Sequence, residues 1–453
     1  MGQIFGTDGL RGQVGTVITS SLLQKVGYCF AKELLLEGPI LIGKDTRESS
    51  EMIIQSLSEG IMAAGKNKIW DIGVCPTPAL PLIIQKNNCI GGIMISASHN
   101  PPEDNGVKLF NKQGIKLTES EQNRIENSIS NLNFDTNADT NSQRSNQLKS
   151  VLNKSFLLNQ YKQSLIDSIE DSDLTGLKIV LDLCHGSATS CAKNIFESVG
   201  AKINTINDSP DGKKINVLCG STYLDPIQNS VLLNKADMGF SFDGDADRVI
   251  AIDEKGRVLN GDHILLLIGN YMKSKNLLKD NLIIGTVMSN LGLEKKWEAN
   301  GGTFKRTSVG DQNIYEELKS TNCNLGGEQS GHILSSFNNF IGDGILTALK
   351  IAQICSTKGR TLAELLDESF TPYPQKLINV YVPNRELRLN WSQITEITTT
   401  IQKAEKELYH NGRILVRSSG TQPLIRIMVE AISESSVDRW SSEISSIIQE
   451  KLG

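Results

Sequence analysis

The sequence predicts an α/β protein of several domains, and three observations support this. The chain has 453 residues, which is too long for one ordinary hydrophobic core. Short β-branched runs alternate with longer helical patterns, as in βαβ units with mixed, mainly parallel sheets. This order recurs about three times before the pattern changes near residue 371. We therefore expect three similar α/β domains followed by a smaller C-terminal α+β domain.

The alternation of strands and helices can be followed along the chain. A strand at "GPILIGKD" precedes a helical stretch over 49–65 and a strand at "KIWDIGV". Strand, helix and strand follow at "LKIVLDL", "AKNIFESVG" and "AKINTIND", and the order returns at "NLIIGTVMS" and "GLEKKWEANGG". Each run matches the period of its element, two residues for a half-buried strand and 3.6 for a helix.

Two polar stretches predict domain boundaries. The segment 131–147 is rich in Asn, Ser and Thr and reads as a surface connection before a helix over 156–168. Two prolines in "FTPYPQK" follow a helical segment and end it. Beyond them we expect a strand at "KLINVYV", a helix near 393–408, a strand-loop-strand unit and a closing helix from Ser435. The predicted domains are residues 1–152, 153–255, 256–370 and 371–453.

The amino-acid composition excludes several classes of protein. The formal net charge of −5 leaves no basic excess for a nucleic-acid backbone. The eight cysteines include no C-x-x-C pair, which favours reduced thiols in a cytosolic protein. We see no secretory signal and no apolar run long enough to span a bilayer. The expectation is a cytoplasmic protein with a small-molecule partner, no nucleic acid and no membrane, and either a monomer or a homodimer.

The first loop with chemical potential follows a predicted buried strand in "GGIMISASHNPPEDNGVKLF". Ser96, Ser98 and His99 stand at the carboxyl end of that strand, where ligands bind in open α/β sheets, and Lys108 follows. A serine hydroxyl is a weak nucleophile that needs an adjacent base or a role as phosphate carrier. Ser98 is therefore a candidate nucleophile, and a structural polar turn is the alternative.

The second loop is "SFDGDADRV". Asp243, Asp245 and Asp247 at alternate positions direct carboxylates to one point, which suits a hard divalent cation. An EF-hand is excluded because Arg248 stands at the sixth position, where glycine is required, and a strand follows. Magnesium in an α/β site fits better than calcium, and a solvated acidic loop is the alternative.

The third and fourth loops offer groups that bind sugars and phosphates. In "GGEQSGHI", Glu328, Ser330 and His332 follow paired glycines that let the backbone approach a ligand. "RSSGTQPLIRIMVE" combines guanidinium groups, hydroxyls and a glycine, a dense set of phosphate donors: Arg417, Ser418, Ser419, Gly420, Thr421 and Arg426. It is not a P-loop. Plain polar turns are the alternatives for both.

Two smaller basic clusters are expected to be salt-bridged surface charges when taken alone. Arg11 stands among glycines in "FGTDGLRG", and Lys44 and Arg47 stand at a strand end in "GKDTRES". Phosphoryl transfer needs positioning and charge neutralisation, and the four main loops supply both. The residues alone therefore indicate an enzyme that moves a phosphoryl group on a phosphorylated sugar.

At this point the sequence resembles a known family, the α-D-phosphohexomutases, over essentially its whole length and in the same order. "ISASHNP" resembles the family's phosphoserine loop, "DGDADR" its metal loop, "GGEQSGH" its sugar-binding loop and "RSSGTQPLIRIMVE" its phosphate-binding loop. The resemblance implies four domains around a central cleft over which the C-terminal domain closes. It also implies one magnesium ion per active site.

The resemblance implies a mechanism. Ser98 would be a phosphoserine in the resting enzyme, with magnesium held by one phosphoryl oxygen and Asp243, Asp245 and Asp247. The group would pass to the sugar phosphate, giving a 1,6-bisphosphate intermediate that turns end for end and can also act as an activator. Glu328 and Ser330 would grip hydroxyls common to both orientations. The phosphate that is not reacting would bind at Arg417, Ser419, Gly420, Thr421 and Arg426.

The resemblance also implies roles for five further residues. Lys108, Arg11 and His332 are candidate proton shuttles or electrostatic helpers, and the residues do not decide which one is the base. Arg248 would lie close to the phosphoserine, and His99 would contact phosphate rather than act as the base of a hydrolase triad.

Four further stretches and one residue resemble the branch of the family that acts on glucosamine phosphates. The stretches are "FGTDGLRG", "IGKDTRES", "INVLCGST" and "TSVGDQNIYEEL", and the residue is Gln329 in the sugar loop. This branch would convert glucosamine 6-phosphate to glucosamine 1-phosphate through glucosamine 1,6-bisphosphate and so feed UDP-N-acetylglucosamine and cell-wall precursor synthesis. A mannose or glucose phosphate mutase of the same family is the alternative. A metal-dependent phosphatase and a sugar-phosphate sensor are the rivals outside it.

Three positions depart from the family pattern. Gln422 replaces the usual Glu of the phosphate loop, Gln312 replaces the Arg usual after "VGD", and "CHGSAT" replaces the more usual "CANGA". None of them touches Ser98, the three aspartates or Glu328.

Overall fold

The computed structural model describes residues 4–6, 8–66, 68–132, 151–169, 173–419 and 422–453. The chain divides into two compact units. The first comprises Met1–Thr286 and Lys305–Glu368, and the second comprises Val287–Phe304 and Ser369–Gly453. Most of the predicted polar connection, beyond residue 132, lies outside the described residues.

The first sheet of the first unit has six strands in the order β1-β5-β4-β2-β3-β6. Strands β2, β3, β4 and β6 pair in parallel, while β5 is antiparallel to both β1 and β4. The strands are β1 Leu10–Gln13, β2 Ile40–Lys44, β3 Ile69–Val74, β4 Gly91–Ile95, β5 Asp104–Asn111 and β6 Val151–Asn153, with helices Ser20–Glu33, Ser50–Ala63, Ala79–Lys86 and Glu119–Asn131.

Two of these helices, Ser20–Glu33 and Ser50–Ala63, pack closely because each presents a glycine to the other. A β-carbon on Gly60 would lie 2.0 Å from the carbonyl oxygen of Gln24, and one on Gly27 would lie 2.3 Å from that of Leu57. Their apolar faces bury a core that includes Leu23, Phe30 and Ile53.

The second sheet has five strands in the order β11-β10-β9-β7-β8. Strand β7 pairs in parallel with β8 and β9, and β9, β10 and β11 continue antiparallel. The strands are β7 Lys178–Asp182, β8 Lys202–Ile206, β9 Met238–Phe242, β10 Val249–Asp253 and β11 Val258–Leu259, with helices Leu158–Asp167, Ala192–Ser198 and Asp225–Asn234.

The third sheet has four strands in the order β13-β12-β14-β15, with β12 and β14 parallel and β14 and β15 antiparallel. The strands are β12 Leu282–Thr286, β13 Thr303–Thr307, β14 Leu325–Gly327 and β15 Ile333–Ser335, with helices Gly261–Ser274, Asp311–Thr321, Gly344–Lys358 and Leu362–Asp367.

These three sheets repeat one topological feature. A strand that pairs in parallel with a neighbour (β4, β9 or β14) ends in a polar loop, and the chain returns as an antiparallel strand (β5, β10 or β15). The predicted serine, aspartate and sugar loops are these three loops. Each therefore lies at the carboxyl end of a buried strand, where backbone and side-chain polar groups are free to meet a ligand.

The second unit holds a three-stranded antiparallel sheet in the order β16-β18-β17. Its core surrounds the fully buried Trp440 on the last helix, which begins at Glu434, one residue before the predicted start. The strands are β16 Gln375–Tyr381, β17 Gly412–Ser418 and β18 Leu424–Ala431, with helices Leu291–Ala299, Arg385–Leu389, Thr395–Leu408 and Glu434–Leu452. The predicted α+β character of this segment is confirmed.

Within the described ranges, none of the helices combines the length and the apolar character that crossing a bilayer requires. All eight cysteines are buried and unpaired.

Candidate active site

Ser98 lies just beyond β4 and is completely buried. Its backbone is left-handed, with φ of +50°, a conformation that costs energy for a residue other than glycine. The backbone N–H of Ser98 donates to Ser96 Oγ at 2.9 Å, and Ser98 Oγ donates to Asp243 Oδ2 at 2.5 Å. The loop conformation therefore directs the hydroxyl of Ser98 at the aspartate loop.

Arg47 holds the serine loop through hydrogen bonds to its backbone. The prediction that Arg47 is a surface charge is wrong. The side chain is buried, and its guanidinium donates to four backbone carbonyls of the loop, those of Ser98, Asn100, Pro101 and Asp104. The planar fork of five N–H donors makes this possible. Lys44, by contrast, forms an ion pair with the exposed side chain of Glu51, as a surface charge would.

Asp45 supports the same loop. Its carboxylate accepts from Arg47 Nε at 3.0 Å and from Ser96 Oγ at 2.7 Å, so the hydroxyl that receives the Ser98 N–H is itself oriented. Burial raises the pKa of Asp45, and the guanidinium of Arg47 and the hydrogen bond from Ser96 oppose that rise. No periodicity or motif in the sequence indicates the contact with Ser96, because Ser96 lies 51 residues further along the chain.

Asp243, Asp245 and Asp247 are buried together, with one carboxylate oxygen from each lying within 4.8 Å of the others. Burial raises the pKa of Asp243, and the negative charges of Asp247 and Asp245 raise it further. Asp245 Oδ1 and Asp247 Oδ1 are buried without a hydrogen-bond donor. Three hard oxygen donors with unsatisfied buried atoms fit a divalent cation.

Lys108, on β5, is the nearest cation to this cluster. Its Nζ donates to Asp245 Oδ2 at 2.7 Å and to Asp247 Oδ2 at 2.9 Å, and the side chain is 1% exposed. Burial favours the neutral amine, but Asp245, Asp247 and Asp8 together raise the pKa of Lys108 well above its usual value. Lys108 therefore stays protonated and acts as a fixed positive charge.

Further ion pairs connect Lys108 to the sugar loop. Asp8 forms ion pairs with Arg11 and with Lys116, and Lys116 Nζ also lies 2.5 Å from Asp311 Oδ2. His332 Nδ1 lies 3.5 Å from Asp247 Oδ1, and its Nε2 lies 3.7 Å from Asp311 Oδ2.

The charged groups around His332 shift its pKa. Burial lowers that pKa, but the carboxylates of Asp247 and Asp311 outweigh burial and raise it. Asp8, Lys116 and Asp311 are site residues that sequence reasoning missed. Asp8 and Asp311 lie in "FGTDGLRG" and "TSVGDQNIYEEL", but no local pattern pairs either carboxylate with Lys116, which is 108 and 195 residues away.

His99 and Arg248 lie on the other side of Ser98. His99 Nδ1 is 3.3 Å from Ser98 Oγ and 3.2 Å from Arg248 Nη1. Burial and the positive charges of Arg248 and Arg11 lower the pKa of His99 to about 4, so the imidazole is neutral at neutral pH. The backbone N–H of Arg248 donates to Asp243 Oδ1 at 3.2 Å.

The sugar loop packs directly against the strand that follows the aspartates. Gly331 has a φ of +90°, and a β-carbon there would lie 2.1 Å from the carbonyl oxygen of Val249. Glu328 is half-buried and accepts from the backbone N–H of Gly310 at 3.1 Å, while Ser330 is exposed. Gln312, which replaces the family's usual arginine, donates to the carbonyl oxygen of Leu117 at 2.9 Å.

The phosphate loop belongs to the second unit. Arg417 on β17 and Arg426 on β18 are cross-strand partners, and burial together with the charge of Arg426 lowers the pKa of Arg417. Gln422 Oε1 accepts from Arg426 Nη2 at 2.9 Å, and the buried Ser419 Oγ accepts from the backbone N–H of Gln422. Two facing guanidinium groups without a carboxylate between them favour an anionic ligand. Gly420 and Thr421 lie outside the described residues.

In the first unit the structure brings together predicted residues of three loops with one residue each from β1 and β5. The loop residues are Ser98, His99, Asp243, Asp245, Asp247, Arg248, Glu328, Ser330 and His332, and the strand residues are Arg11 and Lys108. The class that this fold and site define is a multidomain α/β protein with a buried serine hydroxyl set against a carboxylate cluster and surrounded by fixed cations. Such an arrangement suits chemistry on a phosphorylated ligand.

Comparison with known proteins agrees with this class. Four models of the phosphoglucomutase/phosphomannomutase family match, for alpha/beta/alpha domain I over residues 2–136, domain II over 157–256, domain III over 260–373 and the C-terminal domain over 377–447. A phosphoglucosamine mutase of Synechococcus sp. strain WH7803 is 46% identical over 99% of this chain and 96% of its own length. Another, from Prochlorococcus marinus strain MIT 9313, is 44% identical over 99% of this chain and 95% of its own length.

Solved structures share the fold. A phosphoglucomutase/phosphomannomutase family protein from Burkholderia thailandensis has a TM-score of 0.79 at 21% identity, covering 99% of this chain and 97% of that one. An N-acetylphosphoglucosamine mutase from Aspergillus fumigatus, solved with GlcNAc-6P and magnesium, has a TM-score of 0.66 at 19% identity, covering 98% and 95%.

The chain belongs to the phosphoglucomutase/phosphomannomutase family, the α-D-phosphohexomutases. The predicted family, fold class and enzyme class are confirmed. The exact domain boundaries and the roles of the site residues stay predictions.

We expect Lys108→Met to destabilise the protein by about 3–5 kcal/mol in the presence of a chelator, because it leaves Asp245 and Asp247 buried without their cation. Urea unfolding followed by tryptophan fluorescence measures this. Lys66→Met is the matched control: Lys66 pairs with an exposed Glu37, so its loss should cost less than about 1 kcal/mol. Equal unfolding midpoints for Lys108→Met and wild type would contradict the role of Lys108.

Proposed function

We propose that this protein interconverts glucosamine 6-phosphate and glucosamine 1-phosphate, with Ser98 as the phosphate carrier. The observation that carries the proposal is the buried Ser98 Oγ, 2.5 Å from Asp243 Oδ2, on a loop whose backbone is held by Arg47. The full-length relatives that are 44–46% identical are named phosphoglucosamine mutases. Their names and Gln329 in the sugar loop favour the amino sugar over mannose or glucose.

Asp243, Asp245 and Asp247, with one oxygen of phosphorylated Ser98, would hold one magnesium ion. When bound, the ion neutralises charge on the phosphoryl group and on the three carboxylates. The orphaned oxygens Asp245 Oδ1 and Asp247 Oδ1 support this assignment.

The first step moves the phosphoryl group of Ser98 to O1 of glucosamine 6-phosphate. The bond from phosphorus to Ser98 Oγ breaks, a bond to O1 forms, and the O1 hydroxyl proton passes through a base on the protein to the freed Oγ. Lys108 and Arg11 carry raised pKa values and serve as fixed charges that stabilise the transferring group. Of the three candidate shuttles His332 is our choice for this proton, because an imidazole titrates nearer to neutrality than an ammonium or guanidinium group, and Asp247 and Asp311 raise its pKa.

The second step restores the enzyme. The 1,6-bisphosphate turns so that its 6-phosphate faces Ser98. The bond from phosphorus to O6 breaks, a bond to Ser98 Oγ forms, and the Ser98 hydroxyl proton passes back through the base to O6. Glu328 and Ser330 hold sugar hydroxyls in both orientations, and Arg248 and the neutral His99 contact the phosphoserine. We assign the binding of the phosphate that is not reacting to Arg417, Ser419, Gly420, Thr421 and Arg426.

The product supplies a sugar 1-phosphate for activation to a nucleotide sugar, and we place the protein in UDP-N-acetylglucosamine synthesis. A cytoplasmic location fits the eight buried, unpaired cysteines. Monomer and homodimer both stay open as predictions.

The activity is tested by comparing turnover of glucosamine, glucose and mannose 6-phosphates while inorganic phosphate is measured. We expect the highest kcat/KM on glucosamine 6-phosphate, with phosphate conserved as sugar phosphate, and Ser98→Ala should lower kcat by at least about 1,000-fold, since the carrier is lost. A preference for mannose 6-phosphate would overturn the substrate. Phosphate released in step with consumption of sugar phosphate would indicate a phosphatase.

Magnesium should raise the thermal unfolding temperature of chelator-treated protein in a saturable way. A ligand at about 100 times its Kd stabilises the native state by about 2.7 kcal/mol, and relief of repulsion among the three buried aspartates supplies the affinity. Asp245→Asn should weaken this response, and potassium chloride at equal ionic strength serves as the control. An unfolding temperature that does not depend on magnesium would argue against the metal site.

A further inference from the structure

The backbone carbonyls of Ser98 and Asn100 each receive hydrogen bonds from two different parts of the first unit. Arg47, which follows β2 of the first sheet, donates to them from Nη2 at 3.1 and 2.7 Å. Asn216, between β8 and β9 of the second sheet, donates to the same two oxygens from Nδ2, at 2.8 Å each. The two lone pairs of each carbonyl oxygen are thereby used.

The amide of Asn216 is itself fixed in place. The thiol of Cys184 donates to its Oδ1 at 3.0 Å, so the amide nitrogen faces the serine loop. The backbone of Asn216 has a φ of +60°, and asparagine tolerates this left-handed conformation better than most residues. The stretch "INVLCGST" thus presents one amide N–H₂ group to the serine loop.

This contact lies beside the aspartate loop. A β-carbon added to Gly244 would lie 2.5 Å from the carbonyl oxygen of Ser98 and 3.1 Å from Asn216 Nδ2. Gly244 directly follows Asp243, whose carboxylate receives the Ser98 hydroxyl. The second sheet therefore holds Ser98 at two points, the carbonyl through Asn216 and the hydroxyl through Asp243.

We propose that Asn216 is a positioning residue for phosphoryl transfer, which sets the placement of Ser98 relative to the three aspartates. This inference rests on the proposed function. Arg47 shapes the serine loop from within the first sheet, whereas Asn216 links that loop to the sheet that carries the aspartates. Its loss should displace the reacting atom without altering the sugar loop, which belongs to the third sheet.

The prediction for kinetics is a loss in kcat rather than in KM. A misplacement of about 1 Å at the reacting atoms costs roughly 100-fold in rate. Glu328 and Ser330, which we assign to sugar binding, have no contact with Asn216 among the hydrogen bonds of the described residues. We therefore expect KM for glucosamine 6-phosphate to change by less than about threefold.

Two substitutions separate the amide from the backbone and from side-chain volume. Asn216→Gly removes the amide but accepts the left-handed backbone without strain. Asn216→Asp keeps the volume but places a carboxylate oxygen where the donor stood, against two carbonyl oxygens. Both should lower kcat by roughly 100-fold. Thermal unfolding and magnesium titration, measured alongside, show whether each variant is folded and still has its metal site.

Asn87→Gly is the matched control. Asn87 also links the regions of the first and second sheets, donating to the carbonyl of Ile83 and to Gln160 Oε1 at 2.8 Å each, but it does not contact the serine loop. We expect Asn87→Gly to keep kcat near wild type. A loss of kcat in the Asn216 variants but not in this control would support the proposal.

The role of Asn216 is overturned if Asn216→Gly keeps kcat within about threefold of wild type, if KM rises as kcat falls, or if Asn87→Gly loses as much. A wild-type protein that converts no sugar phosphate would instead overturn the proposed function, and this role with it.

Discussion

The burial of three carboxylates at one point is the constraint on which the rest of the site depends. Asp243, Asp245 and Asp247 come within 4.8 Å of one another away from water, and like charges so placed repel strongly unless cations offset them. Lys108 supplies one such charge, and two carboxylate oxygens remain for another. The ion pairs of Asp8 with Arg11 and Lys116 then extend this balance to Asp311 and the sugar loop. The charges that offset one another in this cluster are the same ones that, in the proposed function, stabilise the transferring phosphoryl group.

The same topological unit is repeated in three sheets, and each copy contributes different residues to the site. The carboxyl ends of β4, β9 and β14 carry the serine, the aspartates and the sugar-loop glutamate, so each sheet contributes one rigid loop. Rigidity matters because phosphoryl transfer depends on placement and electrostatics more than on reactive side chains. Three local features fix the serine loop in place: the hydrogen bonds of Arg47, the left-handed backbone of Ser98 and the amide of Asn216.

The sequence predicted the parts of the site whose members are neighbours in the chain. Alternation of strand and helix patterns located the sheets, and the spacing of the three aspartates predicted the carboxylate cluster. Such local patterns could not reveal the contacts of Arg47 and Asn216 with the serine loop, or those of Lys116 with Asp8 and Asp311, since these partners are distant in the chain. Lys116 meets Asp311 across 195 residues and Asn216 meets Ser98 across 118. Arg47 also looked like a surface charge, because nothing local shows that its donors find buried carbonyls.

Transfer of a labelled phosphoryl group tests the central claim most directly. Protein labelled with radioactive phosphate on Ser98 would be mixed with unlabelled glucosamine 6-phosphate and quenched within one turnover. Our account predicts that the label appears in glucosamine 1-phosphate, that Ser98 becomes phosphorylated by the unlabelled group, and that no labelled inorganic phosphate forms. Label that stays on the protein, or that appears as inorganic phosphate, would contradict it.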